Sequence, residues 1–285
     1  MTTDRGFIGL GVMGAPMCRN LAARGGRVVR AFDRAGVPDF PNVIAVGSVA
    51  ALLALCDTIH LCLPSGAHVQ SVCDEMFARP LDGLRMVVDH GTSPVAMTRA
   101  LAQRFGEAGV TFVDAPIART RQAAEDGTLS IMVGADVAVF EALAASLRCM
   151  ASDLTLCGPV GCGQAVKILN NMVLVETVAA LSEALAIGRT AGVAPEVLFA
   201  ALAKGSADSF ALRNHGMKAM LPGVFPERAF SVAYARKDIG YALELAAAGG
   251  INAAGARQGA KLLDEAAQAG YQAQYWPVIS KVVEG

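Results

Sequence analysis

The chain has 285 residues, 54% of them hydrophobic and 17% charged, with 30 glycines. That is enough apolar material to bury the core of one large domain or two ordinary ones, and too much for a disordered chain. Lysine and arginine (24) almost balance aspartate and glutamate (25), and the net charge of −1 offers no basic field to nucleic acid or anionic headgroups, so a small molecule is the expected partner. Seven cysteines (Cys18, Cys56, Cys62, Cys73, Cys149, Cys157 and Cys162) form an odd set without C-x-x-C spacing, which predicts reduced thiols in a cytoplasmic protein and no metal site. The first strand starts within a few residues of Met1, so no secretory signal is expected. Glu176 and Glu183 interrupt the most hydrophobic stretch, and no membrane association is expected either.

In chain order, a short apolar run over 5–9 leads into Gly9-Leu10-Gly11-Val12-Met13-Gly14, a helical pattern over 16–24, and a second strand over 28–32. Asp33 follows Gly14 by nineteen residues. This is the spacing of a dinucleotide site. Gly9 permits the tight strand-to-helix turn, Gly11 lets backbone amides approach a pyrophosphate, and Gly14 lets the helix lie close on the strand. The amides of Leu10, Val12 and Met13 and the positive end of the helix then face the diphosphate. Asp33 would bond the adenosine ribose hydroxyls, which favours NAD, while Arg34 beside it could accept the 2′-phosphate of NADP. Residues 35–42 carry Pro38 and Pro41 and predict a loop.

Strands are then predicted over 58–63, 86–89, 111–114, 129–134 and 154–157, and helices over 48–56, 69–78, 95–108 and 138–150. This alternation predicts a parallel sheet covered on both faces. Leu63 and Pro64 end one strand and would give apolar contact near the cofactor. Asp89-His90-Gly91-Thr92-Ser93 ends another, where open α/β sheets bind ligands, so Thr92 is expected at the nicotinamide ribose or the substrate. His60 reads as a core or interface histidine. After Gly158-Pro159-Val160-Gly161 the alternation stops, one long helical pattern runs over 164–190, and four or five further helices follow. The expected fold is an α/β Rossmann-type dinucleotide-binding domain over 1–158 followed by an all-α C-terminal domain over 159–285. The long helix is apolar around most of its circumference, which predicts enclosure, most simply by a second subunit in a homodimer or homotetramer.

On that helix Lys167, Asn170 and Asn171 stand at i, i+3 and i+4, one face a turn apart. An amine beside two carboxamides can donate a proton to a carbonyl oxygen while the amides fix the substrate. Hydride addition to a carbonyl needs that arrangement, because it leaves an alkoxide to be protonated.

Four motifs in order, the glycine turn, Asp114-Ala115-Pro116 followed by residues 127–134, the Lys167 segment and Lys237-Asp238, resemble those of the β-hydroxyacid dehydrogenases. The resemblance covers nearly the whole chain. It implies a small anionic hydroxyacid or semialdehyde as substrate, with Lys167 as acid/base and Asn171 as the orienting amide. Lys237 would reach the cofactor, and Thr92 and the loop Ala118-Arg119-Thr120 would hold the substrate. In that loop the family usually has Ser-Gly-Gly. Arg119 brings a planar, permanently charged fork suited to a carboxylate, phosphate or sulfonate. The sulfolactaldehyde reductase branch also has Arg-Thr here, but it carries a serine one turn beyond its asparagine pair, where this chain has Leu174. Two other readings are a non-catalytic dinucleotide-binding sensor or interaction module and an imine-reductase-like enzyme; the presence of Lys167 argues against both.

Overall fold

The computed structural model describes residues 4–227 and 229–284. They form two compact units that divide between Lys167 and Ile168.

In the first unit, β1 (Asp4–Ile8), β2 (Val29–Phe32), β3 (Val43–Ala45), β4 (Cys56–Leu61), β5 (Met86–Asp89) and β6 (Thr111–Asp114) are parallel and lie in the order β3-β2-β1-β4-β5-β6. Interleaved with them are α1 (Gly14–Arg24), α2 (Val49–Leu55), α3 (Gly66–Phe77) and α4 (Val95–Glu107). Side chains alternate across the sheet. Phe7, Val88 and Val113 join one buried cluster with Met17 and Leu21 of α1, whereas their neighbours Ile8, Val87 and Phe112 join another with Leu52, Met76 and Phe105. Two apolar faces therefore demand two layers of helix. Strand order reverses between β1 and β4, and the carboxyl ends of those strands form the crevice where such sheets take ligands.

The sheet is not wholly parallel, which corrects the sequence expectation. After Asp114 the chain turns through Ala115-Pro116 into β7 (Ile117–Ala118), then α5 (Arg121–Asp126) and β8 (Leu129–Gly134), which pairs antiparallel with β6 and β7. Next come α6 (Val137–Leu147) and β9 (Ala151–Gly158), which lies parallel to β8. The three-residue β3, the two-residue β7 and the six-residue α5 are too short for a periodic signal. Residues 33–42 contain neither helix nor strand, as the prolines imply.

α7 (Cys162–Thr190) starts in the first unit and continues into the second, which adds α8 (Pro195–Leu202), a wide-turn π helix (Leu212–Met220), α9 (Val232–Ala248), α10 (Ala254–Ala266) and α11 (Ile279–Glu284). Their core gathers Val175, Val178 and Leu185 of α7 with Phe199, Leu212, Ile239, Leu263 and Trp276. Along α7, Val166 (41%), Leu169 (42%), Val173 (57%) and Ile187 (66%) remain exposed within one chain. Despite Glu176 and Glu183, its 29 residues are long and apolar enough to cross a membrane by length and composition alone. Its opposite face is the buried spine of the helical core, the ordinary situation of a core helix. Lys237 and Asp238 lie within α9.

Candidate active site

The first glycine turn has three different environments at its three glycines. Gly9 has φ +94°, and a Cβ there would stand 2.3 Å from the Cys62 carbonyl oxygen. A Cβ on Gly14 would stand 1.9 Å from the Gly9 carbonyl oxygen. A Cβ on Gly11 would meet nothing within 4 Å. The outer two glycines thus press turn, helix and β4 together, and the middle one leaves its backbone open. This is a cradle fitted to a pyrophosphate at the amino end of α1. Val12 beside it is 53% exposed. Asp33 is fixed beside it, because Oδ2 accepts from the Leu10 amide at 2.6 Å and Oδ1 from Ala35 at 2.7 Å. Arg34 is exposed.

The neighbouring strand ends converge on this turn. Leu63 reaches within 3.0 Å of the Cβ position of Gly9, and its carbonyl oxygen lies 3.0 Å from that of Gly91. Pro64 is exposed next to it and Thr92 is half-buried. Asp89, fully buried, accepts from the Gly91 amide and the Ser93 hydroxyl, both at 2.8 Å, and so shapes the loop that presents Thr92. His90 points away from that loop into the core. Its Nδ1 donates to the Ala115 carbonyl at 3.0 Å, and its Nε2 accepts from His60 Nδ1 at 2.9 Å. A carbonyl can only accept, which settles both tautomers when the rings are neutral. Burial lowers both imidazole pKa values, His90 to about 4 and His60 well below its usual value, helped there by the facing His90 and by Arg5.

Asp114 and Gln164 have roles that sequence reasoning missed. Asp114 Oδ1 accepts from the Gly161 amide and Oδ2 from the Gln164 amide, each at 2.7 Å, so a buried carboxylate on β6 caps the start of α7. Burial raises the Asp114 pKa against the pull of those amides. The readable signal was an acid closing each of two apolar strands. Asp89 and Asp114 are cross-strand partners.

Lys167 is half-buried one turn beyond that cap, and Asn170 and Asn171 follow on the same unbroken helix. In the helical unit, Asn171 Nδ2 donates to Asp238 Oδ2 at 2.6 Å and Asn170 Nδ2 donates to Asn171 Oδ1 at 3.0 Å. Lys237 pairs with Asp238 Oδ1 at 3.0 Å. Asp238, buried and absent from the predicted site, thus joins Asn171 to Lys237. A carboxamide holding those two bonds has a second hydrogen and a second lone pair to offer a ligand.

The substrate loop is the main departure. Arg119, at φ +88°, directs its guanidinium to the Thr128 carbonyl (2.6 Å), Ser152 Oγ (2.8 Å) and Asp153 Oδ2 (2.6 Å). The fork thus meets Asp153, a carboxylate on β9 distant in sequence. Thr120 caps α5 by accepting from the Ala123 amide, and Ala118 pairs with Ser130 in β7.

A doubly wound sheet with a phosphate cradle at its switch point, followed by a helical unit, defines a nicotinamide-dinucleotide-dependent oxidoreductase. Residues 4–158 match the NAD binding domain of 6-phosphogluconate dehydrogenase, and residues 161–278 match the NAD-binding region of NADP-dependent 3-hydroxyisobutyrate dehydrogenase. The chain belongs to the β-hydroxyacid dehydrogenase family. It is 35% identical to 2-(hydroxymethyl)glutarate dehydrogenase of Eubacterium barkeri, over 86% of this chain and 83% of that protein. With 2-hydroxy-3-oxopropionate reductase of Escherichia coli K12 the identity is 34%, over 87% and 85%. Among solved structures, 3-hydroxyisobutyrate dehydrogenase of Mycobacterium tuberculosis with L-serine superposes over the whole of both chains with a TM-score of 0.86 at 27% identity.

Proposed function

We propose that this enzyme interconverts a small β-hydroxyacid and its semialdehyde, with Lys167 as proton donor and acceptor. The observation that carries this reading is the half-buried Lys167 one turn into a helix whose start is held by Asp114, in the same unit as the glycine cradle. A bound nicotinamide supplies or accepts the hydride. Lys167 protonates the oxygen that gains charge in reduction and takes the proton back in oxidation. Asn171, oriented by Asp238, hydrogen-bonds the substrate oxygens, and Asn170 holds the Asn171 carboxamide from its other side. Thr92 positions the substrate or the nicotinamide ribose from the end of β5. Leu63 and Pro64 give apolar contact to the cofactor, and Lys237 pairs with an anionic group on it.

Asp33 favours NAD, and exposed Arg34 accommodates the phosphate of NADP. Residues 1–158 serve as the dinucleotide domain and 159–285 as the substrate and subunit domain. The loop Ala118-Arg119-Thr120 positions the substrate by its shape, with the Arg119 guanidinium engaged by Asp153. The exposed stripe Val166, Leu169, Val173 and Ile187 supports assembly of cytoplasmic homodimers or homotetramers through α7.

The substrate class is tested by initial rates of NADH or NADPH oxidation with tartronate, methylmalonate and succinate semialdehydes and sulfolactaldehyde. Turnover of at least one carboxylate-bearing semialdehyde is expected. A chain that binds NADH but reduces none of them overturns the reading.

A further inference from the structure

Gln164 is fully buried, yet both polar atoms of its side chain are engaged, by Gly91 and Ser93 of the loop that carries Thr92 and by Asp89 at the end of β5. Its Oε1 accepts from the Ser93 amide at 3.0 Å. Its Nε2 donates to the Gly91 carbonyl at 2.8 Å and, more weakly, to Asp89 Oδ2 at 3.4 Å. The residues before and after Thr92 are thereby tied to one side chain. The same residue's backbone amide is the one that Asp114 Oδ2 receives.

Asp114 itself sits in a slot that two glycines keep open. A Cβ on Gly134 would fall 2.2 Å from Asp114 Oδ1, and one on Gly163 would fall 2.9 Å from Oδ2 and 2.5 Å from the Met132 carbonyl oxygen. These contacts explain why an acid closing β6, a glycine closing β8 and Gly161-Cys162-Gly163-Gln164 occur together. They build one buried junction of three sequence motifs, and Lys167 leaves it one helical turn later. The hydroxyl of Thr92 and the amine of Lys167 therefore share a rigid mount whose central part is the Gln164 carboxamide.

We propose that Gln164 is a positioning residue, which fixes the Thr92 loop against the first turn of α7 and so sets the place of the Lys167 amine relative to the reacting carbonyl. This rests on the acid/base reading of Lys167. Misplacement of about 1 Å at such a group is enough to cost on the order of a hundredfold in rate. The carboxamide is needed rather than a carboxylate, because Asp89 already fills the acceptor role and the Gly91 carbonyl requires a donor.

The test compares wild type, Lys167→Ala, Gln164→Leu and Gln164→Glu in NADH-dependent reduction of tartronate, methylmalonate and succinate semialdehydes, with NADH affinity read by fluorescence titration. Gln164→Leu removes every side-chain bond at similar volume. Its kcat is expected to fall at least tenfold with NADH affinity within threefold of wild type. Gln164→Glu retains the acceptor for Ser93 but sets a second carboxyl against Asp89. Its deficit is expected to shrink as pH falls and the introduced carboxyl gains a proton to donate to Gly91, a signature that a loss of packing alone does not produce.

If Gln164→Leu does not fold, the pH profile of Gln164→Glu decides. Loss of turnover in Lys167→Ala together with wild-type kcat in Gln164→Leu overturns the positioning role alone, as does a deficit in Gln164→Glu that is constant with pH. Full turnover in Lys167→Ala, or a wild type that reduces none of the three semialdehydes, overturns the acid/base reading and the inference with it.

Discussion

Gly11 and Gly14 belong to one motif, but the structure predicts opposite outcomes when each becomes alanine. Gly11 has no positive φ and open space around its Cβ position, so Gly11→Ala fits the folded chain. It should leave stability unchanged or raise it by about 0.4–1 kcal/mol through the unfolded state. The added methyl occupies the space in which the pyrophosphate meets the backbone. Loss of one or two charge-assisted bonds from amides, at about 1.5–3 kcal/mol each, weakens NADH at least tenfold. At Gly14 the methyl would lie 1.9 Å from the Gly9 carbonyl oxygen, a backbone atom that cannot swing away. Gly14→Ala should therefore destabilise the fold by about 2–4 kcal/mol, in the range of severe overpacking. Guanidinium denaturation and NADH fluorescence titration on both variants provide the comparison. NADH affinity at wild-type level in Gly11→Ala would refute the cradle argument, and equal destabilisation by the two substitutions would refute its geometry.

Three other consequences follow from buried groups and one exposed ion pair. His60 and His90 are neutral in the fold, with His90 at about 4 against about 6.5 when unfolded, and His215 is likewise pushed down to about 4 by burial. The unfolded chain binds more protons between these values, so stability is lost as pH falls from about 6.5 towards 4, by about 3 kcal/mol for His90 alone. Denaturation midpoints across that range should drop steeply, and less steeply in the His60→Phe/His90→Leu double variant, which keeps His215; a slope unchanged by the double substitution contradicts the pairing. Arg119→Ala removes an ion pair whose partners are 44% and 56% exposed, so stability should move by no more than about 1 kcal/mol and kinetics hardly at all. A tenfold rise in KM would instead return the guanidinium to the substrate. Asp238→Ala removes the acceptor of the Asn171 amide and the Lys237 ion pair together, and should cost about 2–4 kcal/mol by denaturation along with most of the turnover; a loss below about 1 kcal/mol would show that this network bears little weight.

Most of the dinucleotide half was legible because its signals are local. Glycine spacing, apolar runs and an acid at a strand end each report on a few adjacent residues, and residues 33–42 announced their loop through two prolines. What escaped involves partners far apart in sequence. Asp114 meets the amides of Gly161 and Gln164, Asn171 meets Asp238, and Arg119 meets Asp153, pairings that only the folded chain supplies. The reversal of β8 was equally hidden, because a strand's sequence pattern carries no direction. In α7 the apolar circumference was read correctly as composition. Enclosure depends on what packs around a helix, and within one chain part of that surface stays open.

The central claim is that hydride moves between nicotinamide and a semialdehyde carbon while Lys167 handles the proton. It is tested most directly by supplying NADH deuterated on the transferred face with the best semialdehyde and measuring the label in the product by mass spectrometry, for wild type and Lys167→Ala. The expected result is one deuteron on the new carbinol carbon from wild type, and a rate at least a hundredfold lower in Lys167→Ala with NADH affinity retained. Product without the label, or labelled product at the wild-type rate from Lys167→Ala, would contradict the account.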